Sequence, residues 1–335
     1  MGVTIGYSGL QTDPGLRAEA LDWARAFATE MEWAFEEITI ERPRGFLGHR
    51  VLEVPRIEGL SLLPHFASEP VPLLFLDTTG HLVDSILTDE GEGDIRLQDE
   101  VLTKTQFAGP AVHVEVCQFL AELRNRFVPG LTVDDETGFF ESANLERLNQ
   151  ALDAGWDAII EGISDMRDEH GSAFEVGGIL VRVPAEDRPS GAESQIEPAH
   201  RQLLDELETW LMTRYGGFGL DFDRSEQAVE HLDLLMLEAD NEGWFSEESD
   251  GEEAEQLVHA MGAAFGRTVE STLGAQWELD EEQGLVLAEV GSVGVIMNPF
   301  QIAAQRFAHG PAFAFAHQFD VHRELVRRLD DEGAD

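Results

Sequence analysis

QWELDEEQGLVLAEVGSVGVIMNPF, residues 276–300, is the stretch whose reading decides the fold. Residues 276–279 and 285–290 are two short runs rich in strand formers, joined by an acidic, glycine-ended connection, and they predict a hairpin. A third strand is expected at 293–297, and Asn298 followed by Pro299 then predicts a capped helix start. Upstream lie three apolar stripes at helical spacing: Leu203, Leu204, Leu207, Trp210 and Leu211; Val229, Leu232, Leu235 and Met236; Leu257, Met261, Ala264, Phe265 and Thr268. Helices in a run followed by strands in a run predict an α+β domain with a small, mostly antiparallel sheet rather than a doubly wound one.

Working back toward the amino terminus, residues 184–199 carry three prolines and no apolar period, and they read as a linker. Two domains follow from this, 1–183 and 200–335, each mixing a small sheet with packed amphipathic helices. In the first, residues 3–7 read as a strand, and Asp13-Pro14 opens a helix with the stripe Leu16, Ala20, Trp23, Phe27, Met31 and Ala34. Strands are expected at 37–40, 59–63 and 72–76, then from His81 after a turn at 77–80. Pro110 starts a helix with the inward stripe Val112, Val116, Phe119, Leu120, Leu123 and Phe127, followed by a strand at 131–133. A long helix runs from about Ser142, and a strand returns at 176–183.

The chain of 335 residues carries 66 Asp and Glu against 22 Lys and Arg, a formal charge of −44, and Lys104 is its single lysine. Such a field repels nucleic acid and anionic headgroups, so the partner it predicts is a protein, basic if steered electrostatically. Three readings of the charge stay open: adaptation to high salt, imitation of nucleic-acid phosphate, and neutralisation of a basic partner. With no leader-like amino terminus and no apolar run of about 18 residues, a soluble, cytoplasmic protein is expected, without membrane contact. One cysteine, Cys117, excludes an intramolecular disulfide and a multi-thiolate zinc cluster.

No phosphate-binding, dinucleotide-binding, zincin or nucleophile-elbow signature is present, so no cofactor and no catalytic residue are assigned. The spacings of His309, His317 and His322 fit no compact metal-ligand motif, and no metal is expected. Tyr215-Gly216-Gly217 reads as a helix stop, and Gly262 with Gly266 reads as close helix packing. His113 and Cys117 share a helical face; with the carboxylates of residues 134–136 they form the alternative, a hydrolase or transferase.

The candidate binding segment is the polar connection before the second helix, with Lys104, Thr105 and Gln106. His65 and Glu69 join it from the 64–70 segment, and Asp134, Asp135 and Glu136 from the next strand's end; Lys104 is expected to pair with one of the last three. Residues 64–70, 104–109 and 134–141, with the short first strand and the Asp-Pro helix start, resemble a bacterial family of unknown function over residues 1–150. Gly262, Gly266, Trp277, Pro299-Phe300 and Arg306 resemble a second such domain over 250–310. Neither resemblance implies an activity. The expectation for the whole is a non-enzymatic, acidic protein-binding factor, in a role such as immunity or defence, with the hydrolase or transferase and the nucleic-acid mimic as alternatives.

Overall fold

The computed structural model describes residues 3–332 except 41–43, 48–49, 54–55, 88–94, 99, 167–172, 177–178, 183–195, 242–250, 281–282 and 292–294. The chain is α+β, and every strand pairing among the described residues is antiparallel. In order it forms β1 (Thr4–Ser8), α1 (Pro14–Glu30), β2 (Ala34–Ile40), β3 (Arg44–Leu47), β4 (Arg50–Glu53), β5 (Ile57–Leu63), β6 (Val71–Leu76), β7 (Asp84–Leu87), β8 (Ile95–Gln98) and β9 (Val101–Lys104). Then come α2 (Gly109–Arg126), β10 (Thr132–Asp135), α3 (Phe139–Ser142), α4 (Leu145–Met166), β11 (Ala173–Val176), β12 (Ile179–Arg182), α5 (Pro198–Tyr215), α6 (Glu226–Asn241) and α7 (Gly251–Val269). The chain closes with β13 (Gln276–Asp280), β14 (Gly284–Val290), β15 (Val295–Met297), α8 (Pro299–His309) and α9 (Phe315–Glu332). It divides into two compact units, Met1–Ile159 and Ile160–Asp335.

In the first unit, β10-β1-β9 and β2-β5-β6 form two three-stranded sheets, with β3-β4 and β7-β8 as separate pairs. Helix α1 starts as its sequence dictates, Asp13 Oδ1 accepting from Gly15 N at 2.8 Å. Its buried seam is Arg17, Ala20, Ala24 and Ala28, rotated from the expected aromatic stripe. Alanines let the helix approach the sheets closely, and Trp23 and Phe27 flank the seam, packing on Phe119 at centroid distances of 5.1 and 5.3 Å. The α2 stripe from Val112 to Phe127 is buried as expected, and His113 and Cys117 are buried with it. The long helix expected from about Ser142 forms as α4, and a short helix that the sequence reading did not give, α3, precedes it, separated by Ala143 at φ 51°.

In the second unit the sheet order is β11-β12-β15-β14-β13. Residues 173–182, which the sequence reading assigned to the first domain, enter this sheet because Leu180 and Val181 pair with Ile296 and Val295. The 276–300 stretch forms its hairpin, third strand and capped helix, Asn298 Oδ1 accepting from Phe300 and Gln301 amides. A Cβ on Gly262 would meet Phe300 Cα at 3.0 Å, and one on Gly266 would meet Trp277 Cη2 at 2.5 Å, so both glycines permit the close contact. Buried Arg306 reaches Asp233 Oδ1 at 3.3 Å, and Asp233 caps α9 through the Phe315 and Ala316 amides. The expected linker at 184–199 lies largely outside the described residues.

Candidate functional site

Strand alternation sorts the candidate residues onto two faces of the β10-β1-β9 sheet. Ile5 lies between Thr103 and Asp135, and Gly6 between Leu102 and Asp134. Hence Thr103, Thr105 and Asp135 point inward toward α2, and Leu102, Lys104, Asp134 and Glu136 point outward, where all four are exposed.

On the outward face Lys104 is held by Glu69 and not, as expected, by a carboxylate of 134–136. Its Nζ lies 3.0 Å from Glu69 Oε1, and its amide donates to Glu69 Oε2 at 3.1 Å. The reason is geometric: β1 separates β9 from β10, placing their backbones about 10 Å apart, whereas the 64–70 segment runs beside β9. Glu69 N also donates to Lys104 O at 2.8 Å, and His65 Nδ1 accepts from Ala67 N at 3.0 Å to shape the turn. Glu136 Oε2 accepts from Thr4 N at 2.9 Å. Gly6 keeps the middle of this face low, since a Cβ there would meet Glu100 Oε1 at 3.0 Å and Leu102 Cδ2 at 3.4 Å.

The inward residues belong to a buried polar cluster. His113, from the first turns of α2, is fully buried; its Nδ1 lies 2.7 Å from Thr105 Oγ1 and its Nε2 3.3 Å from Thr137 Oγ1 and 3.4 Å from Asp135 Oδ1. Asp135 Oδ1 accepts from Thr137 N and Oδ2 from Phe140 N, both at 2.8 Å, so the carboxylate caps the turn into α3. Burial, the largest influence, pushes this carboxyl upward, but the bonds from His113, Phe140 and Thr137 together outweigh it and hold the pKa at about 2. Cys117, one helical turn after His113, is 4% exposed, and burial with the nearby Asp135 charge pushes its thiol up to about 12. Ligand atoms of His113, Cys117 and Asp135 all lie within 4.8 Å of one another. Gln106 is buried apart from them, its Oε1 accepting from Val3 N at 3.2 Å and its amide packed on Gly155 of α4.

Chemically, this cluster has an imidazole, a carboxylate and a sulfur, but a protonated thiol beneath a sheet is no nucleophile at neutral pH. The sequence reading paired His113 with Cys117 and missed Thr137. A hydroxyl two residues beyond a strand-end Asp is the signal that could have found it, because Asp-x-Thr turns fold back on themselves.

In the second unit, an open groove of about 470 Å³ between α6 and α9 is lined by Glu226, Glu230, Phe319 and Asp320, with Arg323 bound to Glu226 at 2.9 Å and Asp320 at 2.6 Å. Among the described residues, no helix is long and apolar enough to cross a membrane. No protein-family model, no curated protein and no solved structure matches the chain.

Proposed function

We propose that the chain is a non-enzymatic, acidic protein-binding factor and that a basic protein docks on the outward face of β10-β1-β9. The observation that carries this reading is the face itself. Leu102 is 44% exposed beside a flat glycine centre, ringed by the carboxylates of Glu100, Asp134 and Glu136, and its one ammonium group is already neutralised by Glu69. An exposed apolar residue in a polar, single-sign rim is the anatomy of a protein contact, and the rim charge favours a cationic partner. What supports the non-enzymatic part is the buried state of His113 and the elevated thiol of Cys117.

A photo-crosslinking amino acid at position 102, exposed to extract of the source cell, tests this. The expected product is a discrete adduct with a basic protein, its yield falling as salt rises and lost in Asp134→Arg. The same probe at the exposed position 206 of α5 serves as the control. Identical adducts from both positions, or none from position 102, overturn the reading.

A further inference from the structure

We infer that His113, Cys117 and Asp135 form a buried site for a single divalent transition-metal ion of the zinc type, tying α2 to β10. The site lies on the inward side of the sheet and is independent of the docking face. Three ligand classes that zinc favours, imidazole, thiol and carboxylate, converge from two elements with every ligand atom within 4.8 Å of the others. The separation of His113 Nε2 and Asp135 Oδ1, 3.4 Å, is long for a charge-assisted hydrogen bond of about 2.7–2.9 Å. It is the span expected of two ligands each about 2.0–2.1 Å from a tetrahedral ion, roughly 3.4 Å. With a zinc–sulfur bond of about 2.3 Å, Cys117 Sγ closes to about 3.6 Å from the other two, from separations of at most 4.8 Å, a shift of up to about 1.2 Å.

The surroundings are arranged as outer partners of such a site. With the ion bound, Thr105 Oγ1, 2.7 Å from His113 Nδ1, is placed to accept that ring N–H, and the proton that Nε2 shares with Asp135 in the free protein gives way to the metal bond. Backbone amides of Thr137 and Phe140 fix the Asp135 carboxylate, and the Thr137 hydroxyl sits beside both His113 and Asp135. The ion also resolves an awkward juxtaposition, a carboxylate against a buried sulfur. On binding, the thiol proton is released to solvent and the ion takes the thiolate, with no redox change.

The test uses the full chain, stripped with chelator and titrated with Zn²⁺ or Co²⁺. Expected are one tightly held ion per chain, a thiolate-to-cobalt absorption band in the Co²⁺ form, and loss of band and tight binding in Cys117→Ala. Because 66 carboxylates bind divalent ions weakly and without order, binding that is equal in wild type and Cys117→Ala overturns the inference. Should that variant fail to fold, thiol labelling of wild type in mild urea decides instead. At a Zn²⁺ concentration 100 times the dissociation constant, labelling of Cys117 slows about 100-fold, and no slowing overturns it.

Discussion

Cys117 provides the sharpest check on the non-enzymatic reading, because it is the single thiol of the sequence and it is buried beside Asp135. Burial beside Asp135 moves its pKa from the ordinary 9.0 to about 12. At any pH well below 9 the thiolate fraction is therefore about a thousandfold smaller than in the unfolded chain, and the thiolate is the reacting species. Access lowers the rate further, since the residue is 4% exposed. The assay is the rate of reaction with a chromogenic disulfide reagent at pH 8, in chelator, for native and urea-unfolded protein. The native rate is expected to be at least about 10³-fold slower. A native rate within tenfold of the unfolded one would place an ionised, reachable thiol next to His113, and the hydrolase or transferase alternative would then stand.

Gly266→Ala is expected to lower stability. The added methyl gains about 1 kcal/mol of helix propensity but falls 2.5 Å from the ring of Trp277, which is fully buried, and overpacking costs about 1–3 kcal/mol or more. A urea midpoint equal to or above wild type contradicts this. Burial lowers His322 from 6.5 to about 4. Between those values the unfolded chain binds a proton that the folded one refuses, so this residue's contribution is full above pH 6.5 and is lost as pH falls toward 4. At pH 5 the deficit is about 2 kcal/mol, and His322→Gln should lose correspondingly less stability than wild type between pH 7 and 5; equal losses refute it.

Local signals were legible in the sequence where one element settles them. The α2 stripe, the Asp13 and Asn298 caps and the 276–290 hairpin needed only periodicity and cap chemistry. What was not legible depends on pairing across the chain. Leu180 meeting Ile296 moves a strand into another sheet, and no local pattern announces a partner more than a hundred residues away. The α1 seam turned because small side chains pack closer than large ones, which a hydrophobicity stripe does not weigh. The site divided for the same reason of register: Lys104 and Thr105 are neighbours in sequence yet face opposite sides, and only the pairing of Ile5 with both Thr103 and Asp135 brings His113 to its carboxylate.

Lys104, paired with Glu69 yet with 54% of its side chain exposed, has a practical meaning. It is the one side-chain amine in 335 residues, and it stands on the outward sheet face. An amine-reactive dye, biotin or surface therefore finds one side chain among these residues to couple to. Molecules attached at Lys104 all present the same orientation, and that attachment covers the face that the proposed partner needs.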